Sequence, residues 1–345
     1  MRMSSTKIFV TGATGYVGGS VVNRLLLHPD AKSFELTALV RNAEKAEKLN
    51  ALGMKTVVGS YSNLELLTES AKGADVVIAV ADSDNLVAAE AILRGLKQRY
   101  EETNKAPILI HTSGTAIIAD NAHGQHGDHI YSDLDSDAIE AIPEAVPHRN
   151  VDIALVKADK EGYVKTYTIT PGTVFGPVEG PLVDAGVQHQ HSVQVPALIR
   201  ASVARKQAGY IGAGKNVWSA ASNKDTAELY VVLLDALRKN PSSVGHGRDG
   251  FHFVESFEYS GYEVAEETGK VLAELDIAKA AEPTTYTKEE CTQYFGDWWE
   301  ILSSNSRAKG ERSRALGWKP VDGKDYFIGS IRFEVLKAAE SLQKK

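Results

Sequence analysis

One stretch near the start of the chain constrains the fold more than any other: Lys7-Ile8-Phe9-Val10-Thr11-Gly12-Ala13-Thr14-Gly15-Tyr16-Val17-Gly18. A β-branched run breaks into three glycines at fixed spacing and then turns amphipathic, so a strand, a tight turn and a helix must follow one another. Gly12 can take the turn, Gly15 lets backbone approach a ligand without a Cβ in the way, and Gly18 lets the helix pack closely on the strand. The helix then aims its unpaired N–H groups and positive dipole end at the turn, which is a seat for phosphate. Thr11, Gly12, Ala13, Thr14, Gly15, Tyr16, Val17 and Gly18 are therefore the expected contacts of a dinucleotide pyrophosphate.

The alternation continues downstream. Strand patterns occupy Glu35 to Val40, Thr56 to Val58, Asp75 to Val80, Pro107 to Thr112 and Lys165 to Thr170. Helical patterns fall between them, at Val17 to Leu27, Ala43 to Leu52, Leu64 to Ala71 and Leu86 to Tyr100. Parallel strands need crossovers of helix length, so the reading is an α/β protein with a doubly wound parallel sheet of Rossmann type. After Pro171 loops rich in Gly, Pro and His lead to helical patterns at Val195 to Lys206, Asp225 to Arg238, Tyr259 to Leu275 and Tyr326 to Leu342. Residues 5–177 and 214–256 are assigned to the NAD(P)-binding Rossmann domain, and 178–213 and 257–345 to a smaller, mostly C-terminal substrate lobe.

A net charge of −7 with interspersed signs offers no basic field for phosphodiester backbones, so nucleic acid is not an expected partner. No apolar run approaches membrane-spanning length, and the polar residues before Ile8 leave no room for a secretory segment. A single cysteine, Cys291, fits a reducing compartment. The expectation is a cytoplasmic monomer or homodimer acting on a small-molecule substrate, with no membrane contact. His123, His126 and His129, like His189 and His191, look like metal ligands but sit in glycine-rich or polar loops, and no metal is expected. Those loops are instead expected to move over the cleft.

The second strand pattern ends Val40-Arg41-Asn42, without the carboxylate that would accept the ribose hydroxyls of NAD(H). An arginine fork suits a 2′-phosphate, so the expected cofactor is NADP(H), with NAD(H) possible.

The glycine spacing, Val40-Arg41-Asn42, the run Ile110-His111-Thr112-Ser113-Gly114-Thr115, the loop Thr170-Pro171-Gly172-Thr173-Val174-Phe175-Gly176-Pro177 and the late Leu316-Gly317-Trp318-Lys319-Pro320 together resemble the extended and atypical short-chain dehydrogenase/reductases. The resemblance runs from about residue 6 to residue 320. It implies further cofactor contacts at Ala81, Pro171 and Val174. It also implies a Ser or Thr after strand five, matched by Ser113 with Thr115 as neighbour, and a Tyr-x-x-x-Lys pair on the next helix. That pair is missing. The helix expected between Pro147 and Gly162 offers either Lys157 with Ile153 in the tyrosine's place, or His148 and Asp152 one turn earlier, where Asp152 could brace the imidazole. Tyr131, brought in by a loop, is a further proton donor to consider.

Three functions follow from the resemblance. The leading one is an NADP(H)-dependent oxidoreductase that reduces a carbonyl or oxidises an alcohol with non-standard acid/base residues. The others are a nucleotide-sugar epimerase or dehydratase, and a non-catalytic dinucleotide-sensing regulator. Were the substrate to carry phosphates, Arg307, Arg312 and Arg314 are where they would bind.

Overall fold

The computed structural model describes residues 5–343. The last two residues of the expected lobe, 344 and 345, lie outside that range. The strands are β1 (Thr6–Thr11), β2 (Phe34–Val40), β3 (Lys55–Val58), β4 (Val76–Ala79), β5 (Ile108–Thr112), β6 (Tyr131–Ser132), β7 (Lys165–Pro171), β8 (Thr173–Phe175), β9 (Gly209–Tyr210), β10 (Val217–Ser222), β11 (Phe251–Val254), β12 (Phe257–Ser260), β13 (Thr284–Thr285) and β14 (Ala308–Lys309). The helices that matter for the site are α1 (Tyr16–Leu26), α2 (Ala43–Ala51), α3 (Leu64–Lys72), α4 (Leu86–Thr103), α5 (Ser136–Glu140), α6 (Arg149–Lys160), α7 (Pro181–Asp184), α8 (Gln194–Arg205), α9 (Asn223–Lys239) and α10 (Gly261–Glu274).

Seven strands form one sheet in the order β11-β7-β5-β4-β1-β2-β3, every pair parallel. Strand order reverses between β1 and β4, and an open α/β sheet presents its binding crevice there, beyond the strands' carboxyl ends. One face is covered by α1, α2 and α9 through Val21, Val22, Leu25, Leu49, Leu229 and Leu233; the other by α3, α4 and α6 through Leu67, Ile92, Leu96, Val151 and Leu155. A doubly wound sheet is thus what the sequence pattern produces.

The second core gathers Phe175, Trp218, Tyr259, Val264 and Phe327 around the small sheet β12-β10-β8, the helices α8 and α10 and the closing helix Lys324–Gln343. Its edges differ from the expected lobe. β8 and β10, both expected in the Rossmann part, belong to this sheet. Conversely Leu182 and Val187 pack with α1 in the first core, so residues 178–191 form a strap across the cofactor-binding side of that domain. Tyr259, expected at a helix start, is in β12 opposite Trp218. The helix begins after it because Ser260 and Glu263 form a capping box.

Two glycines of the turn meet structural demands that a side chain would break. Gly12 has φ +74°, and a Cβ at Gly18 would overlap the Gly12 carbonyl. Gly18→Ala should therefore push α1 off β1 and cost about 1–3 kcal/mol of stability, read as a lowered midpoint in thermal or denaturant unfolding.

Candidate functional site

A groove of about 520 Å3 runs over the carboxyl ends of β1, β2 and β4, lined by Gly12, Thr14, Gly15, Arg41, Lys45, Ser60, Tyr61, Ala81, Asp82, Asn85 and His189. α1 enters it with no side-chain cap and no acidic residue in its first turn, so its leading N–H groups are free for an anion. That vacancy of donors, the glycine cradle and the arginine at the β2 end fit a dinucleotide. Gly12, Thr14 and Gly15 face the groove, whereas Thr11 and Ala13 are fully buried beneath it and Val17 packs into the core. Tyr16, expected at the cofactor, donates its hydroxyl to the Gly176 carbonyl and ties α1 to the segment that leads into the strap. Pro171 is buried at the end of β7, and Val174 lies half-buried in β8.

At the far end of the groove Arg41 is exposed and makes no ion pair among the described residues. Lys45, which sequence reasoning missed, lies one helical turn on and donates to the Val187 carbonyl at 3.0 Å. The strap closes over the glycine turn as well. The His189 N–H donates to the Thr14 carbonyl at 2.9 Å, and Gln188 fills the space left by Gly19 and donates to the Tyr16 carbonyl.

Outside the groove lining, and joined to its Asp82–Asn85 side through Ser83 and Asp84, β5 and the start of α6 bring Ser113, His148 and Asp152 together, but not in the expected pairing. α6 starts at Arg149, leaving His148 as its N-cap with φ +67°, a strained value for a non-glycine residue. The strain is held by Asp84, whose Oδ1 accepts both the backbone N–H of His148 and its ring Nδ1, each at 2.8 Å. The Ser83 hydroxyl lies 3.0 Å from the same Nδ1. The other edge of the ring lies over Gly114, where a Cβ would stand 3.0 Å from Nε2.

Asp152 does not brace the imidazole. It is fully buried and accepts from the Ser113 hydroxyl, Oγ to Oδ2, at 3.0 Å. Burial first, opposed by the Ser113 hydrogen bond and the Arg149 charge, pushes its carboxyl up to about 7. His111, two residues before Ser113 on β5, is enclosed as well, and burial drives it down to about 4, so it is neutral.

Three other candidates lie away from this cluster. Thr115 is buried, and its Oγ1 accepts from the Ser306 hydroxyl at 2.8 Å. Lys157 and Ile153 face a surface depression with Glu90, Arg94 and Glu161, because the apolar stripe Val151, Leu155 and Ala158 turns their side of α6 outward. Tyr131 is held in β6 beside Ala308.

The loop at residues 120–128 is not loose over the cleft. Asp120 binds Asn305, and the Gly124 N–H donates to the Ser303 carbonyl. His123 stacks on Trp299, and His129 meets Tyr131 edge-on. The three late arginines are paired: Arg307 with Glu258, Arg312 with Asp249 and Arg314 with Glu255. A second cavity, about 910 Å3, opens at the opposite ends of β1, β4 and β5, and its Arg99 and Arg238 are paired with Asp75, Asp30 and Asp235. No helix among the described residues is long and apolar enough to cross a membrane.

Residues 12–138 match the NAD(P)H-binding domain family. The "Oxidase ucsJ" of an Acremonium species is 30% identical over 365 residues, covering 97% of this chain and 98% of that protein. The PbgP3 protein of Burkholderia pseudomallei superposes with a TM-score of 0.68 at 16% identity, covering 97% of this chain and 99% of that one. The UDP-glucose 4-epimerase of Thermotoga maritima, solved with UDP-glucose, superposes with a TM-score of 0.64 at 13% identity, covering 97% and 99%. At such identities the two structures speak for the fold alone. The Rossmann sheet, the glycine turn, the domain match and the full-length relative agree: the chain belongs to the extended and atypical short-chain dehydrogenase/reductases, NAD(P)-binding proteins of the epimerase/dehydratase-like fold.

Proposed function

We propose that the protein is an NADP(H)-dependent oxidoreductase that reduces a carbonyl, or oxidises the matching alcohol, of a small organic substrate. The observation that carries this reading is the clamped imidazole of His148. Asp84 and Ser83 hold its Nδ1, leaving Nε2 on the side of Gly114, the residue that follows Ser113. A general acid needs a group that can protonate near neutral pH, a fixed orientation and a hydroxyl beside it to hold the substrate oxygen. Bound NADP(H) supplies the hydride. The chain's own part is to orient the carbonyl through Ser113 and to give a proton from His148 Nε2 in reduction, or take it back in oxidation.

Arg41, reinforced by Lys45, favours the 2′-phosphate at the outer end of the groove, and no carboxylate stands at the end of β2 to favour NAD(H). The paired state of Arg307, Arg312 and Arg314 weighs against a nucleotide-sugar diphosphate, which would have to displace three carboxylates.

The reading is tested by measuring NADPH oxidation with a panel of aldehydes and ketones, alongside dissociation constants for NADPH and NADH. Consumption with at least one carbonyl supports it. Tight NADPH binding without turnover of any carbonyl or alcohol moves the assignment to a dinucleotide-sensing regulator. A charge-assisted contact contributes on the order of 1.5–3 kcal/mol, so Arg41→Ala should weaken NADPH binding about tenfold or more and leave NADH unaffected. Equal affinity for both cofactors in the unaltered protein would remove Arg41 from the site.

A further inference from the structure

The contact between Ser113 and Asp152 has a directional consequence. Ser113 sits at the carboxyl end of β5 with its N–H fixed on the Ile169 carbonyl, and it is nearly buried. Its hydroxyl carries one hydrogen. Asp152 presents Oδ2 to that hydroxyl at 3.0 Å, while its Oδ1 is buried without any partner. A buried carboxylate needs its oxygens satisfied, whereas a neutral acid can leave one lone and use its own hydrogen on the other.

The surroundings favour the neutral acid. From its own helix Arg149 faces Asp152, but the guanidinium donates to the carbonyls of Ile142 and Glu140 instead of to the carboxyl. From the loop after β4 comes the like charge of Asp84, which also raises the carboxyl. From β5 comes His111, buried and neutral. His148, at the N-cap of the same helix, is held by Asp84.

We propose that Asp152 is a positioning residue whose neutral carboxyl donates to Ser113, turning the serine's own hydrogen outward to a carbonyl oxygen, and whose ionisation turns that hydrogen inward. When Asp152 is neutral, Ser113 is a donor toward the cleft. When Asp152 is ionised, Ser113 donates to it and offers only lone pairs outward. Reduction begins with a carbonyl, an acceptor, and uses the neutral form; oxidation retraces the same arrangement, the alcohol oxygen accepting from Ser113 while its own hydrogen goes to His148 Nε2, so ionisation of Asp152 withdraws the donor from both directions. This rests on the carbonyl-reduction reading, yet the proton on Asp152 can be read without any substrate.

The first measurement is an infrared titration of the cofactor-free protein. A carboxylic C=O band should persist above the pH at which ordinary carboxyls have ionised and disappear through about 7. Asp152→Asn should lack it. Ser113→Ala should move its midpoint upward, because the serine hydrogen bond stabilises the ionised form.

Linkage gives a second readout. The folded protein holds this proton more tightly than the unfolded chain, so its contribution to stability declines as pH rises from the ordinary value of 3.8 through about 7. Asp152→Asn should flatten that decline. Once a carbonyl substrate is found, kcat/KM for reduction should fall as pH rises through about 7 in the unaltered protein, and Asp152→Asn should lack that ionisation. A missing band, a midpoint indifferent to Ser113→Ala, or an unaltered pH profile in Asp152→Asn overturns the proposal. Failure to find a carbonyl substrate overturns the functional reading alone, and the titration still decides whether Asp152 and Ser113 share the proton.

Discussion

His148→Ala is expected to lose about a hundredfold or more in turnover of a carbonyl substrate, the scale of removing a general acid, with NADPH affinity kept within about twofold. The expectation follows from how much of the local structure is spent on one ring. His148 occupies a left-handed backbone conformation, and such positions persist only where the surroundings over-determine them. Here Asp84 Oδ1 accepts from both the backbone and the ring of the same residue. A solvated surface histidine needs no such clamp. Asp84→Asn keeps an oxygen acceptor for Nδ1 and for the His148 backbone N–H, so its loss should be smaller and confined to kcat. The comparison is made at saturating NADPH. Full activity in His148→Ala together with an inactive Ser113→Ala would show that the proton reaches the substrate through the hydroxyl and solvent instead.

The parts legible in the sequence were those governed by local pattern. The β-branched runs and 3.6-residue periodicity specify six strands of the seven-stranded sheet because each strand and helix states its own burial; the edge strand β11, four residues long and far along the chain, was not read from the sequence. Likewise the Gly12, Gly15 and Gly18 spacing specifies the turn. What local pattern cannot express is which loop ends converge. Asp84 and His148 are 64 residues apart and meet only because β4, β5 and the start of α6 end on the same side of the sheet. The cluster Asp82-Ser83-Asp84-Asn85 after the fourth strand was a signal, since short polar residues at the carboxyl end of a parallel strand face the crevice. Spacing pointed to Asp152 as the imidazole's partner because i and i+4 share a helical face. But His148 is outside the helix proper, its left-handed turn swings the ring away, and Asp152 is left facing Ser113. The strap was hidden for a different reason: Leu182 and Val187 are too few and too widely set among Gly and Pro to announce which core they join.

Gly15→Val should abolish measurable dinucleotide binding, raising the NADPH dissociation constant at least about a hundredfold, while the protein stays folded. The three glycines of the turn differ in what a side chain would meet, and that difference makes the experiment clean. At Gly12 the positive φ and the approach of Val80 and Ala81 forbid a side chain, and at Gly18 a Cβ overlaps the Gly12 carbonyl, so both substitutions damage the fold itself. Gly15 has φ −76° and ψ 176°, extended backbone that any residue adopts, and the nearest atom to an added Cβ is the Gly12 carbonyl oxygen at 3.1 Å. A valine there asks the Gly12 carbonyl to give by a few tenths of an ångström, a far smaller demand than at Gly12 or Gly18, and adds its bulk at the groove, where the pyrophosphate would meet the free N–H groups of α1. A hundredfold corresponds to about 2.7 kcal/mol, a modest demand for excluding a diphosphate from its seat. NADPH fluorescence titration reads the affinity, and circular dichroism with thermal unfolding reads the fold. Gly15→Ala, which adds only the Cβ, should fall between the two and orders the series by size. Unchanged affinity in Gly15→Val would remove this turn as the phosphate seat; a protein that unfolds with Gly15→Val yet binds normally with Gly15→Ala would assign Gly15 to the architecture of the turn instead of to the ligand.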